Sequence, residues 1–254
     1  MLVLLGAFGQ EMAGLRRQMA VEEVVDSPAC RMYRGRLRGK PCILVQTGIG
    51  RRRADRATQA VLERYPVTAM VSLGFAGALT PDLRIGEVAV CSTVRRASGF
   101  GNNEGEAEPY AADPNLLALA SARRGDGPTL FLAATCVTTP GVVSGARAKQ
   151  ELSREFQAQV VDMESYWIAG AASAQQVPFI AIRSISDTLH DDLRAIDHIL
   201  DSEGRVLWKR VPPYFLLHPH HLPSMFTAFR NMRRAETTLT AFISDLVTRI
   251  GPDS

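Results

Sequence analysis

Short apolar runs bounded by glycine alternate along this chain with longer stretches of helical period. The runs Leu2 to Leu5, Cys42 to Gln46, Met70 to Leu73, Val88 to Cys91, Phe131 to Ala134, Val160 to Asp162 and Phe179 to Ile182 are continuous, the pattern of strands buried on both faces. Glu11 to Met19, Arg51 to Arg64, Asn115 to Arg123, Ser165 to Gln176 and Pro223 to Ile250 suit helices, the last amphipathic through Met225, Phe229, Met232, Leu239, Phe242 and Leu246. This alternation predicts an α/β fold, a three-layer αβα sandwich around a mixed, largely parallel central sheet. Two stretches interrupt it. Ser98 to Asp113 is a polar loop long enough to be mobile or functional, and Asp197 to Pro223 is irregular, with prolines at 212, 213, 219 and 223. Neither repeats nor an interdomain linker break the chain, so residues 1–254 are expected to form a single domain.

Composition narrows the function classes. At 254 residues and 46% hydrophobic content the chain can bury a full core. Its net charge of +3 comes from scattered arginines with one concentration from Arg31 to Arg56, which lacks the dense basic and aromatic surface of a nucleic-acid binder. A small molecule is the expected partner. Cys30, Cys42, Cys91 and Cys136 form no CxxC pair, which argues against a zinc site or disulfide framework and for reduced thiols in the cytoplasm. The start, MLVLLGAFGQEM, is apolar over too few residues to insert stably in a membrane and reads as a first buried strand. The histidines at 218, 220 and 221 surround a helix-breaking Pro219 without an accompanying thiol or acid cluster, so no metal is expected.

The chemistry is carried by acids at the edges of apolar segments. Glu164 follows Asp162, a candidate N-cap, at the start of the apolar SYWIAGAASA; Asp187 ends the strand pattern FIAIRSIS; Glu11 follows the Gly6 to Gly9 turn. Each taken alone reads as readily as an acid serving a helix N-terminus. Three acids all placed just beyond the carboxyl ends of buried strands point instead to one cleft, because that is where open α/β sheets bind ligands.

These segments resemble the purine and uridine phosphorylase superfamily, especially its methylthioadenosine/S-adenosylhomocysteine nucleosidase branch. The resemblance rests on GAFGQE after the first strand, TGIG at Thr47 to Gly50, SLGFAGALTPDLRIGEVAV at Ser72 to Val90, VDMES at Val161 to Ser165 and VPFIAIRSISD at Val177 to Asp187. It implies cleavage of a purine–ribose bond without a cofactor in a homo-oligomeric enzyme. It implies that Glu11 orients the attacking water, that Met163 and Glu164 hold the ribose, and that Asp187, with Ser186 beside it, serves the purine. Phe75, Ala76 and Gly77 would line the substrate, with Gly74 in the same backbone turn. The chemistry needs such groups: an acid relieves the charge arriving on the departing purine, and a carboxylate suits the cation developing on the sugar. The chain departs from the nucleosidases at Phe75, where they carry a small hydroxyl residue. There, and in the HPHHLPSMFTAFRNMRRAETTL tail, it is more similar to the hopanoid-associated phosphorylases, whose implied substrate is an adenosyl lipid; futalosine nucleosidases are a further possibility. Arg51 and Arg53, at a helix start where cations oppose the dipole, are candidate anion ligands. Hydrolysis of a 5′-substituted adenine nucleoside is the expected activity, with phosphorolysis and non-catalytic nucleoside binding as alternatives.

Overall fold

The computed structural model describes residues 1–97, 107–122, 128–191 and 222–251, without the side chains of 222–224. In chain order the elements are β1 (Leu2–Gly6), α1 (Gly9–Gln18), β2 (Met19–Asp26), β3 (Arg31–Leu37), β4 (Lys40–Gln46), α2 (Arg51–Arg64), β5 (Ala69–Ala78), β6 (Val88–Arg96), β7 (Tyr110–Ala111), α3 (Pro114–Ser121), β8 (Leu130–Thr138), α4 (Ala146–Phe156), β9 (Val160–Asp162), α5 (Ser165–Ala174), β10 (Phe179–Asp187) and α6 (Leu222–Arg249). β1 lies between β4 and β5, all parallel, and β5 continues in parallel to β10. Leu2 and Leu4 point to one face, against Met12 and Leu15 of α1, Leu116 of α3 and Leu239, Phe242 and Leu246 of α6. Val3 and Leu5 point to the other, against Ala54, Ala57 and Val61 of α2 and Ile168 and Ala172 of α5. Helices on both faces explain why the strand runs are continuous rather than alternating.

The sheet departs from a simple open layer in two ways. β10 pairs antiparallel with β6, β6 parallel with β8, β8 parallel with β9, and β9 antiparallel with β5, so these five strands close into a ring. The other wing continues from β4 through β3 to β2 by antiparallel pairing. The apolar-run pattern misses β2 and β3 because most of β2 is solvent-exposed and its charges are spent across the hairpin. Arg34 reaches Glu23 at 2.8 Å and Arg31 reaches Asp26 at 3.1 Å. Much of the arginine concentration is thus sheet pairing rather than a binding patch. The β3–β4 turn places Arg38 and Gly39 at φ 52° and 80°, the left-handed pair that matches strand twist in a two-residue hairpin.

One helix is likewise absent from the sequence reading. α4 buries Lys149, Leu152 and Phe156 at i, i+3 and i+7, so a lysine occupies the core-facing stripe and masks the period. Within the stretch expected to be a loop, Tyr110 and Ala111 pair with β6, and Tyr110 stacks on Tyr166 with ring centroids 4.9 Å apart. The rest of that loop from 98 to 106, including Phe100, and the irregular stretch with its histidines lie outside the described residues. Among the described residues no helix is long and apolar enough to cross a membrane, and all four cysteines are buried and free.

Candidate functional site

One cavity gathers the ends of six strands. Ala7, Phe8 and Glu11 arrive after β1, Ile49 after β4, Phe75 to Gly77 from the end of β5, Thr139 and Gly141 to Val143 after β8, Val161 to Glu164 from β9, and Ser186 and Asp187 from β10; Ala228 and Met232 of α6 complete the wall. Glu11, Met163, Glu164, Phe75, Ala76, Gly77, Ser186 and Asp187 are therefore brought together as the sequence reading requires.

Glu11 is buried in the first turn of α1, where Oε2 accepts the N–H groups of Ala7 (2.8 Å) and Phe8 (3.2 Å) and Oε1 accepts that of Phe75 (2.8 Å). The helix-terminus and cleft readings of this acid are both realised. Burial pushes its pKa up to about 6, against the pull of those three donors and of Arg183. Glu11 fits because residue 74 has no side chain: a Cβ there would lie 2.7 Å from Oε1. Gly77 makes room in the same way for Asp187, whose Oδ2 would sit 2.7 Å from a Cβ. The GFAG segment is the end of strand β5 rather than a turn, and its glycines are seats for two carboxyl groups.

Glu164 is itself the N-cap residue of α5 but makes no capping bond to it; Oε1 instead accepts the N–H of Gly50, 2.7 Å away at the start of α2. The capping bond comes from Asp162, whose Oδ2 accepts the Ser165 N–H at 2.9 Å. Burial first, then the charges of Asp162 and Glu11, raise the Glu164 pKa to about 8. The cavity thus favours the protonated form of this acid more than water does. Asp187 accepts from Ser186 Oγ on Oδ1 (2.9 Å) and from Lys149 Nζ on Oδ2 (2.6 Å).

Sequence reasoning misses two charged residues here, Arg183 and Lys149, and reads Asp162 only as a helix cap. Arg183 lies behind the cavity, 2.7 Å from Asp162 in its wall, and Lys149 backs Asp187. A lone arginine in FIAIRSIS and a lysine on the stripe shared with Leu152 and Phe156 were the available signals, since a buried charge must find a partner. The arginines that sequence reasoning does single out lie elsewhere. Arg51 stacks over Trp167 at 4.4 Å and faces Asp55, while Arg53 lies against the Gly48 backbone, and neither lines the cavity. Among the described residues its wall contains acids and apolar groups but no lysine or arginine. Tyr110 faces Tyr166 and does not line the cavity. Phe8 and Phe75 meet edge to face at the cavity, with centroids 5.8 Å apart.

A family profile described as the phosphorylase superfamily matches residues 1–205. The chain is similar to the 5′-methylthioadenosine/S-adenosylhomocysteine nucleosidase of Baumannia cicadellinicola subsp. Homalodisca coagulata, 31% identical over 193 residues that cover 72% of this chain and 84% of the relative. It is 31% identical over 194 residues, with the same coverage, to the protein of that name from Tolumonas auensis. Among solved structures, the nucleosidase of that name from Neisseria meningitidis in complex with methylthio-immucillin-A superposes with a TM-score of 0.77 at 20% identity, covering 98% of this chain and 99% of that one. A futalosine hydrolase of Helicobacter pylori gives 0.76 at 19% identity, covering 98% and 97%. At these identities the two structures establish the shared mixed α/β fold.

Proposed function

The chain belongs to the phosphorylase superfamily and is an enzyme of it, an N-ribosyl hydrolase or nucleoside phosphorylase, and on that premise we propose that it hydrolyses the N-ribosidic bond of a 5′-substituted adenine nucleoside. The observation that carries this reading is the meeting of Glu11, Glu164 and Asp187 in one cavity whose described wall offers no cation for phosphate. Asp187 serves the purine, where charge arrives as the bond to C1′ breaks. Glu164, whose Oε1 accepts the Gly50 N–H, holds the ribose hydroxyls, with Met163 beside it in the wall. Glu11, mostly ionised above about pH 6, takes the proton of the attacking water. An incoming phosphate beside that carboxylate would be repelled by about a kcal/mol or more at contact distance.

Phe8, Ile49, Phe75, Val142 and Met232 make much of the wall apolar, which favours a thioether or longer apolar 5′ group over a bare hydroxyl. The reading calls for no cofactor, because Glu11, Glu164 and Asp187 are assigned to the water, the ribose and the purine. The reading extends to a cytoplasmic homo-oligomer built from residues 1–254 as one domain, supported by four reduced thiols and by the family resemblance.

The test is base release from methylthioadenosine, adenosylhomocysteine, adenosine, inosine and futalosine, each with and without phosphate. Adenine should appear from methylthioadenosine at full rate in phosphate-free buffer, with free methylthioribose as the sugar product, and adenosine should be poorer. A requirement for phosphate with a ribose 1-phosphate product would establish phosphorolysis instead.

A further inference from the structure

Helix α4 carries a lysine where its helical stripe calls for an apolar residue. Lys149 shares the buried face with Leu152 and Phe156 and is wholly inaccessible to solvent. Its Nζ donates to Asp187 Oδ2 and to the Thr188 carbonyl, each at 2.6 Å. Stability is a poor reason for such a pair, because two apolar residues of similar volume usually serve a core as well or better. A buried cation placed directly behind an acid that faces a cavity is, by contrast, the arrangement from which proton chemistry is built. Lys149 does not line the cavity and Asp187 does, so anything Lys149 contributes to a ligand passes through that carboxyl group.

We infer that Lys149 is the proton source behind Asp187, an inference that rests on the reading of Asp187 as the group serving the purine. As the bond between C1′ and the purine nitrogen breaks, its electron pair passes to the base. A proton leaves Lys149 Nζ for the Asp187 carboxylate, and the carboxyl group gives it to N7. The purine departs neutral, Asp187 is again an anion, and the neutral Lys149 amine regains a proton through the Asp187 carboxyl group once the products leave the cavity. The Ser186 hydroxyl on Oδ1 and Lys149 on Oδ2 fix the plane of the carboxyl group throughout.

Three substitutions separate this role from pocket shaping. Lys149→Met removes the charge, Lys149→Gln keeps a hydrogen-bond donor without a transferable proton, and Lys149→Arg keeps the charge on a group that does not give up its proton. Each is confirmed as folded by its melting transition, and two quantities are read: kcat for adenine release from methylthioadenosine, and the Kd of a 7-deaza analogue, which has no N7 to protonate. The inference expects kcat to fall about 100-fold or more in all variants that fold, with the analogue's Kd within about threefold of wild type. It is overturned if Lys149→Gln or Lys149→Arg keeps kcat within about threefold, or if analogue affinity falls in parallel with kcat, which is the signature of a misshapen pocket. Wild-type protein that releases no adenine would overturn the hydrolase reading and this inference together, whereas an active wild type with active variants overturns this inference alone.

Discussion

Strand β10 contributes to two buried ion pairs that are finished differently. Arg183 is surrounded: Nε and Nη2 reach Asp162 Oδ2 at 3.0 and 2.7 Å, Nη2 also reaches Ser72 Oγ and Ser165 Oγ at 2.7 Å each, and Nη1 donates to the Ile182 carbonyl. Asp162 in turn accepts from the Thr138 hydroxyl at 2.6 Å. Burial opposes its charge, but Arg183 and the Thr138 and Ser165 contacts outweigh burial and hold its pKa below the ordinary value. Asp187, further along the strand, takes one bond from Lys149 and one from Ser186 and keeps an edge on the cavity. A charge satisfied on every side fixes the geometry of β5, β9, α5 and β10, whereas a charge left partly open retains the capacity to act on a ligand.

The comparison breaks most sharply at Asp187. Asp187→Asn keeps the size of the side chain but can neither receive nor pass on a proton, so adenine release should fall about 10²–10⁴-fold. Its melting temperature and its affinity for a 7-deaza analogue should change little. Near wild-type turnover in this variant would remove Asp187 from the chemistry.

Arg183→Met attacks the other pair and should act on folding. It strands Asp162 as an unpaired buried charge at a cost of about 3–5 kcal/mol, read as a lower midpoint in urea unfolding. Adding Asp162→Asn should return much of that loss; no recovery in the double variant would mean that the pair is not the unit of stability.

Glu164 sharpens the contrast between saturated and open acids through pH. Its folded pKa is raised to about 8 from 4.5, so the fold binds its proton more tightly than the unfolded chain does. The resulting stability is fully present below about pH 4.5 and is lost as pH rises through about 8, a change on the order of a few kcal/mol. Glu164→Gln should flatten the melting temperature between those limits; an unchanged slope would place the titration elsewhere. Glu11 moves activity in the same experiment: kcat/KM should fall as pH drops below about 6 and this base takes up a proton.

The smallest effect is expected outside the cavity. Arg51→Ala loses a cation–π contact with Trp167 and an exposed ion pair with Asp55, together about 1 kcal/mol or less. Base release should be unaltered with or without phosphate. A loss confined to assays with phosphate would restore Arg51 as an anion ligand.

Much of the site was legible because its residues break local patterns. Glu11 and Asp187 are charges at the ends of apolar runs, and Glu164 opens an apolar helix, so each is visible without knowledge of what it faces. The same logic fails for the arginines at the start of α2, because a cation at a helix N-terminus is equally well served by a ring and a neighbouring acid, as Arg51 is by Trp167 and Asp55. It also fails for β2 and β3, whose exposed side chains pair charge with charge across the hairpin and leave no apolar run to detect. Gly74 and Gly77 were read as a turn; that they are strand positions emptied for two carboxyl groups depends on side chains arriving from α1 and β10.

By itself the sequence determined the alternation of buried strands and covering helices and the positions of the three acids, because burial on both faces demands continuous apolar runs and a charge interrupts them visibly. Only the tertiary structure decided that five strands close into a ring, and that Arg183 meets Asp162 across 21 residues and Lys149 meets Asp187 across 38. It also decided that burial and the neighbouring Asp162 and Glu11 raise the Glu164 pKa. The reason is common to all three: strand partners, ion-pair partners and the dielectric around a carboxyl group are set by what lies nearby in space, and local periodicity along the chain carries no record of that.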